Sequence, residues 1–210
     1  MIIGSKQKLS QIINGPVLSI GSESVSLVSS IKTLGVIVDE RITWGDQIDQ
    51  VAKKASKGIG LLRRSKQLIN GPTLKTIYDA FVLPHFDYCA LVWDNCSKSL
   101  QNKLQKLQNK AARILTDDSY ETPSEAVRAK LNWETSQSRR EKLIFLFMKE
   151  TINGNSNNNL GDLFRISCNT SHNLRSNNKV LSLAKPNTNA LKRSFSYKGA
   201  VVWNNLQLAD

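Results

Sequence analysis

Two pairs of adjacent acids, Asp39-Glu40 and Asp117-Asp118, are the first candidates for chemistry in this chain. Neighbouring carboxylates can hold the two metal ions, about 4 Å apart, that phosphoryl transfer uses. Neither pair has the setting that role needs. Asp117-Asp118 follows Leu115-Thr116 at the end of a helical pattern, not a hairpin between strands. Asp39-Glu40 ends a strand that has no second acidic strand to face. Both read as surface acids at element ends. His85, Cys89 and Cys96 are a weak zinc set at these spacings, and Cys89 among apolar neighbours reads as a core cysteine. A Cys89/His85 nucleophile pair rests only on a four-residue spacing, which is common by chance. There is no GxGxxG and no Walker sequence. The expectation is no catalytic residue, no metal site and no cofactor in this chain.

The cations are more informative. Lys53, Lys54, Lys57, Arg63, Arg64 and Lys66 fall within fourteen residues that contain no acid. At 100° per residue, Lys53, Lys57 and Arg64 lie within about 40° of one another, opposite an apolar face. Such a ridge can meet successive phosphates of a nucleic-acid backbone. The plain alternative is a solvated helix face, but solvated faces usually mix Glu with Lys at four-residue spacing. A second stripe, Lys103, Lys106, Lys110 and Arg113, is spaced 3, 4, 3 beside leucines, again with no acid. It reads equally as a phosphate-binding row or as the soluble flank of a coiled coil. The candidate nucleic-acid-binding residues are therefore Lys53, Lys54, Lys57, Arg63, Arg64, Lys103, Lys106, Lys110 and Arg113.

The elements that must carry these stripes can be read along the 210 residues. Residues 1–43 read as strands and turns. Val17–Ile20 and Glu23–Val28 form a hairpin around Gly21-Ser22, and Ile31–Val38 is the strongest single strand. After Trp44, Ile48, Val51, Ala52, Ala55, Ile59, Leu62 and Ile69 mark one face of a long helix, with a bend expected at Gly58 and Gly60. Pro72 opens a second helix, Pro84 ends it, and a short segment runs from Phe86 to Trp93. Ser97–Leu115 is the cleanest helix. Another short helix follows Thr122-Pro123-Ser124. Ser138-Arg139-Arg140-Glu141 has capping-box spacing and starts a helix to Asn153, stopped by Gly154. Asn155–Asn159 is a polar linker. A last helix is expected near Tyr197 to Leu206. The fold class is α+β, mainly α: a small N-terminal antiparallel sheet over 1–43, a helical bundle over 44–154, and a sparse region over 155–210.

The charge balance agrees with a polyanionic partner: 29 Lys+Arg against 17 Asp+Glu give net +12. Three cysteines, an odd count with no CxxC pair, argue against a disulfide framework and a zinc ribbon and fit an intracellular, nuclear or cytoplasmic, setting. The longest apolar run, Leu143–Met148, is six residues, too short to span a membrane.

Four blocks carry a family resemblance. Leu34-Gly35-Val36-Ile37-Val38-Asp39 with Ile42-Thr43-Trp44 and Ile48 resembles the block after the polymerase active site of jockey-type non-LTR retrotransposon reverse transcriptases. Tyr78, Leu83-Pro84-His85-Phe86-Asp87-Tyr88-Cys89 and Trp93 are similar to the next block, Leu104–Ile114 to a third, and Ser194–Asn204 to the tail. They come in the family's order and span almost the whole chain. The resemblance implies a right-hand polymerase whose palm carries the metal-binding carboxylates and Mg, and whose thumb grips the template–primer duplex. Residues 1–43 would end the palm, the helices from 44 would be thumb-like, and the palm and fingers of the parent would be missing partners. The family's aromatic-x-Asp-Asp hairpin is absent. The expected function is thus a fragment of an RNA-directed DNA polymerase that grips duplex without catalysing. The alternatives are a stand-alone basic helical nucleic-acid-binding protein or a non-functional transposon relic. The terminal Leu206–Asp210 departs from the family, and a truncated or frame-shifted end is expected there.

Overall fold

The computed structural model describes residues 1–12, 15, 18–154, 159–166 and 180–207. Val17, linker residues 155–158, Cys168 and residues 208–210 lie outside them. The chain packs as two units: Met1–Cys89 with Cys96–Trp133, and Ala90–Asn95 with Glu134–Asp210. The architecture is α+β and mainly helical.

The first unit begins with a short helix, α1 (Lys6–Ser10), where the sequence predicts strands and turns. Two separate hairpins follow in place of one small sheet. The first pairs β1 (Leu18–Ile20) with β2 (Glu23–Val25) across Gly21-Ser22, as the turn residues predict. The second corrects the reading of Ile31–Val38 as one strand. It is a hairpin of β3 (Ser30–Thr33) and β4 (Val36–Asp39), turning at Leu34-Gly35. Leu34 and Gly35 have φ of 47° and 83°, the left-handed pair that a two-residue hairpin turn needs. A β-branched run hides this turn because its periodicity is the same on either side.

Asp39, at the end of β4, shapes the entry to the first long helix. Its carboxylate accepts from Thr43 N at 2.9 Å and Trp44 N at 2.8 Å, which holds Trp44 in a left-handed conformation. Helix α2 (Gly45–Ser65) then runs unbroken past both glycines. Its stripe of Ile48, Val51, Ala52, Ala55, Ile59 and Leu62 is buried, each large side chain contributing about 1.5–3 kcal/mol. Gln47 Oε1 accepts from Ile37 N at 2.9 Å and fixes β4 to the helix.

Helix α3 (Gly71–Phe81) is capped by Asn70, whose side chain accepts from Thr73 N. It comes so close to α2 that a Cβ on Gly58 would lie 2.6 Å from the Phe81 carbonyl oxygen. That contact explains the glycine. Helix α3 ends at Phe81, just before Pro84, and Pro84 lies in the first turn of α4 (Leu83–Asp87). The expected single segment to Trp93 is cut at Cys89, φ 50°, and resumes as α5 (Ala90–Trp93) in the second unit. Helix α6 (Lys98–Thr116) is capped by Ser97, and α7 (Ser124–Lys130) packs on it. Tyr78 stacks on Trp133 with ring centroids 4.3 Å apart.

In the second unit, α8 (Ser136–Ile152) is capped by Thr135, whose hydroxyl accepts from Ser138 N. The helix therefore starts earlier than the Ser138 box suggests, because Thr135 offers the same chemistry three residues upstream. A 3₁₀ turn (Asn159–Leu163), α9 (Asn189–Arg193) and α10 (Phe195–Gln207) complete the unit. Ile144, Met148, Leu181, Ala200, Val202 and Trp203 form its core. The Asn204 side chain accepts from Leu181 N and donates to Leu181 O, both at 2.9 Å.

Candidate nucleic-acid interface

The cationic ridge of α2 is exposed as the spacing predicts. Lys53, Lys54, Lys57, Arg63 and Arg64 all face solvent, and none forms an ion pair among the described residues. Around the helix, Lys54 and Arg63 sit about 80–100° to either side of the Lys53–Arg64 line. Three of the five therefore share one line and two flank it.

Helix α6 packs directly on α2. Two ion pairs join them: Lys103 Nζ lies 2.7 Å from Asp49 Oδ1, and Lys66 pairs with Asp117. Asp49 and Lys103 are near the amino-terminal ends of their helices, while Lys66 and Asp117 are the residues that close the two carboxyl-terminal ends. The two helices therefore run side by side in the same direction. One turn beyond the Asp49–Lys103 pair come Lys53 on α2 and Lys106 on α6. A further turn on come Lys57 and Lys110. The two cation rows climb together from a shared starting point.

The α6 row is not uniform. Lys106 and Lys110 are exposed without an ion pair among the described residues. Lys103 is neutralised by Asp49. Arg113 is half-buried: its Nη2 donates to Thr122 O at 3.0 Å and Ser124 Oγ at 2.9 Å, with the guanidinium 5.2 Å from the Tyr120 ring centre. It clasps the loop leading into α7. Seven of the nine candidate residues thus remain open to a partner, and two are engaged within the protein.

No family model matches the chain, and no solved structure matches it. Two curated proteins do. Over 114 residues, 53% of this chain, it is 27% identical to the probable RNA-directed DNA polymerase from transposon BS of Drosophila melanogaster. Over 92 residues it is 29% identical to the probable RNA-directed DNA polymerase from transposon X-element of the same organism. About half of the chain is thus similar to probable RNA-directed DNA polymerases of transposons. The chain covers 13% and 10% of the lengths of these two proteins.

Within this reverse-transcriptase-related chain, the acids with catalytic potential are used as ion-pair and turn partners. Asp117 pairs with Lys66, and Asp118 Oδ1 lies 2.6 Å from Lys130 Nζ. Hydrogen bonds from Lys130 and Thr116 hold the Asp118 carboxyl below its ordinary range. Burial alone would raise Asp39, but the backbone N–H groups of Thr43 and Trp44 outweigh it and keep that carboxyl low too. Among the described residues, no group of three or more His, Cys, Asp or Glu is placed to hold a metal ion. His85 and Cys89 do not share a helix face, since α4 ends at Asp87 and Tyr88 is extended. Trp44, Tyr78 and Trp93 are buried, whereas Tyr88 is 54% exposed.

The sequence places Lys66 in the first basic stripe but does not show that Asp49 and Lys66 pair with Lys103 and Asp117. Their partners lie 54 and 51 residues away, so no local pattern signals the pairing. No helix among the described residues is long and apolar enough to cross a membrane.

Proposed function

We propose that this chain is the template–primer-gripping, thumb-like part of a retrotransposon RNA-directed DNA polymerase, and that it supplies no catalytic carboxylate. The observation that carries this is the pair of parallel cation rows, Lys53, Lys57 and Arg64 on α2 beside Lys106 and Lys110 on α6, exposed and without acids between them. The relatedness to transposon polymerases supplies the class of partner. The rows bind by charge to the phosphate backbone, so recognition is of duplex and not of sequence. The metal ions used by such polymerases would be held elsewhere in the parent protein. Asp117 and Asp118 do not fit that task, because each is already bound to a lysine.

A salt titration of the full chain on an RNA–DNA duplex tests this reading. Binding is expected to weaken with salt with a log–log slope of about −0.9 per phosphate contacted on duplex. The triple variant K53E/K57E/R64E is expected to lose binding by at least roughly a hundredfold while keeping its helical content. Absence of binding at low salt, or an unweakened triple variant, overturns it.

A further inference from the structure

A cavity lies in the first unit where the β3–β4 hairpin, α2 and α4 meet. Its volume is about 320 Å³, and Lys32, Gly35, Gln50, Lys54, His85 and Tyr88 are among its lining residues. Lysines enter from two different elements, β3 and α2. Among the described residues, no aspartate or glutamate lines it. The Tyr88 hydroxyl closes one wall by donating to Leu34 O at 2.6 Å, which ties the hairpin tip to the end of α4. Gly35 permits that approach, since a Cβ there would lie 3.2 Å from the hydroxyl oxygen.

A second hollow of about 250 Å³ adjoins it, sharing Lys54 and His85 and adding Lys57, Leu61 and Phe81. Phe81, 56% exposed, supplies the aromatic part of this second hollow beside Leu61. The two hollows together present a charged end and an apolar shelf. A nucleotide has the same division between its phosphate and its base.

We propose that this paired cavity is a nucleotide subsite, with a backbone phosphodiester of a single strand held between Lys32 and Lys54 and the adjoining base resting on Phe81. It rests on the nucleic-acid reading above and extends it: Lys57 of the α2 row borders the second hollow, while Lys54 lies about a quarter turn from that row. Base stacking on an aromatic beside a cationic track is a recurring way to hold single strands without reading sequence.

Burial, and then the charge of Lys54, lowers the His85 pKa below its ordinary value of 6.5. The ionisable groups facing His85 in the cavity are Lys32 and Lys54 with the Tyr88 phenol, and Lys57 in the adjoining hollow. All are cationic or neutral, so an arriving phosphate is the first negative charge it meets there. His85 is therefore a built-in reporter.

The test follows the His85 imidazole by NMR in the full chain, in an H172N background so that one histidine remains. The probes are an oligothymidylate of about eight nucleotides, a blunt RNA–DNA duplex, and inorganic phosphate. Oligothymidylate is expected to raise the His85 titration midpoint. K32M and K54M are expected each to weaken oligothymidylate binding roughly three- to tenfold, and F81A to weaken it about tenfold. Salt-dependent duplex binding with an unmoved His85 under saturating oligothymidylate would sink the subsite and leave the gripping rows standing. A chain that binds no duplex, yet whose His85 responds to oligothymidylate, would sink the rows and retain the subsite. A response to inorganic phosphate with none to oligothymidylate would reduce the cavity to an anion hole and overturn the nucleotide assignment.

Discussion

Lys103 and Asp49 form an ion pair that joins α6 to α2 and removes one cation from an otherwise acid-free row. Both side chains are largely exposed, so the pair contributes little to stability, about 0–1 kcal/mol. Its larger effect is on charge. D49N is expected to leave the melting temperature almost unchanged and to release Lys103. Duplex affinity should rise, and the salt slope should steepen by about 0.9 as one more phosphate is engaged. Equal slopes for the two proteins would mean that Lys103 never reaches the backbone.

Arg113 and Lys106 lie on one helix and should behave oppositely. R113A removes one hydrogen bond to the loop before α7 and one to Ser124 at its start, and strands the Thr122 carbonyl. A loss of about 1–3 kcal/mol in urea unfolding is expected, with no change in the salt slope for duplex. K106A combined with K110A should reduce the slope by up to about 2 and leave unfolding within about 0.5 kcal/mol.

Much of this was legible in the sequence. Helices α2, α3 and α6 follow from apolar periodicity and, for α3, from Pro72 in its first turn. What periodicity could not supply is where the chain crosses itself. Leu34-Gly35 turns within a β-branched run, and the turn shows only in the φ values. The Ser194–Asn204 block looked like a family signature and has a local physical meaning. Ser194 Oγ accepts from Tyr197 N, Phe195 packs edge-on against Phe147 and Phe164, and Asn204 holds the backbone of Leu181. The basic residues were found by spacing, but spacing cannot distinguish Arg113, folded inward, from Lys110, facing out. That distinction depends on a loop nine to eleven residues further on.

Gly58 and Gly60 read alike in the sequence and differ in the fold. A Cβ at position 58 would meet the Phe81 carbonyl oxygen at 2.6 Å and Val82 Cγ2 at 2.7 Å, whereas at 60 the nearest atom is Arg64 Nη1 at 3.6 Å. G58A is expected to cost about 1–3 kcal/mol by forcing α2 and α3 apart. G60A should stabilise the chain by up to about 1 kcal/mol through helix propensity. Paired thermal melts of the two variants decide the matter, and like-signed shifts would contradict the packing described.

Asp39 gives the first unit an acid-sensitive joint. Its folded-state pKa is lowered, so the stability it confers is fully present above the unfolded carboxylate value, near 3.9. That stability is lost as pH falls through the depressed folded value. Wild-type melting should decline below about pH 4. D39N keeps some acceptor capacity but no charge, so it should start lower by about 1 kcal/mol and decline less steeply over that range. Parallel pH profiles for the two proteins would remove Asp39 from this role.

Asp94 is the buried anchor of the second unit. Arg140 Nε donates to its Oδ1 at 2.7 Å, Lys198 donates to its Oδ2, and the Arg140 guanidinium lies 5.6 Å from the Trp93 ring centre. The Asp94 and Arg140 side chains are 2% and 3% exposed, while that of Lys198 is 28% exposed. Two cations thus converge on one carboxylate, and removing the carboxylate leaves Arg140 buried without a counter-charge. D94N is expected to cost about 3–5 kcal/mol, since breaking a buried pair costs more than the pair itself contributes. K198M should cost far less, about 1 kcal/mol, because Asp94 keeps Arg140 and the methionine stem can cover the same surface. Urea unfolding of the two variants separates these outcomes. If K198M proved as damaging as D94N, Lys198 rather than Arg140 would be the partner that Asp94 serves.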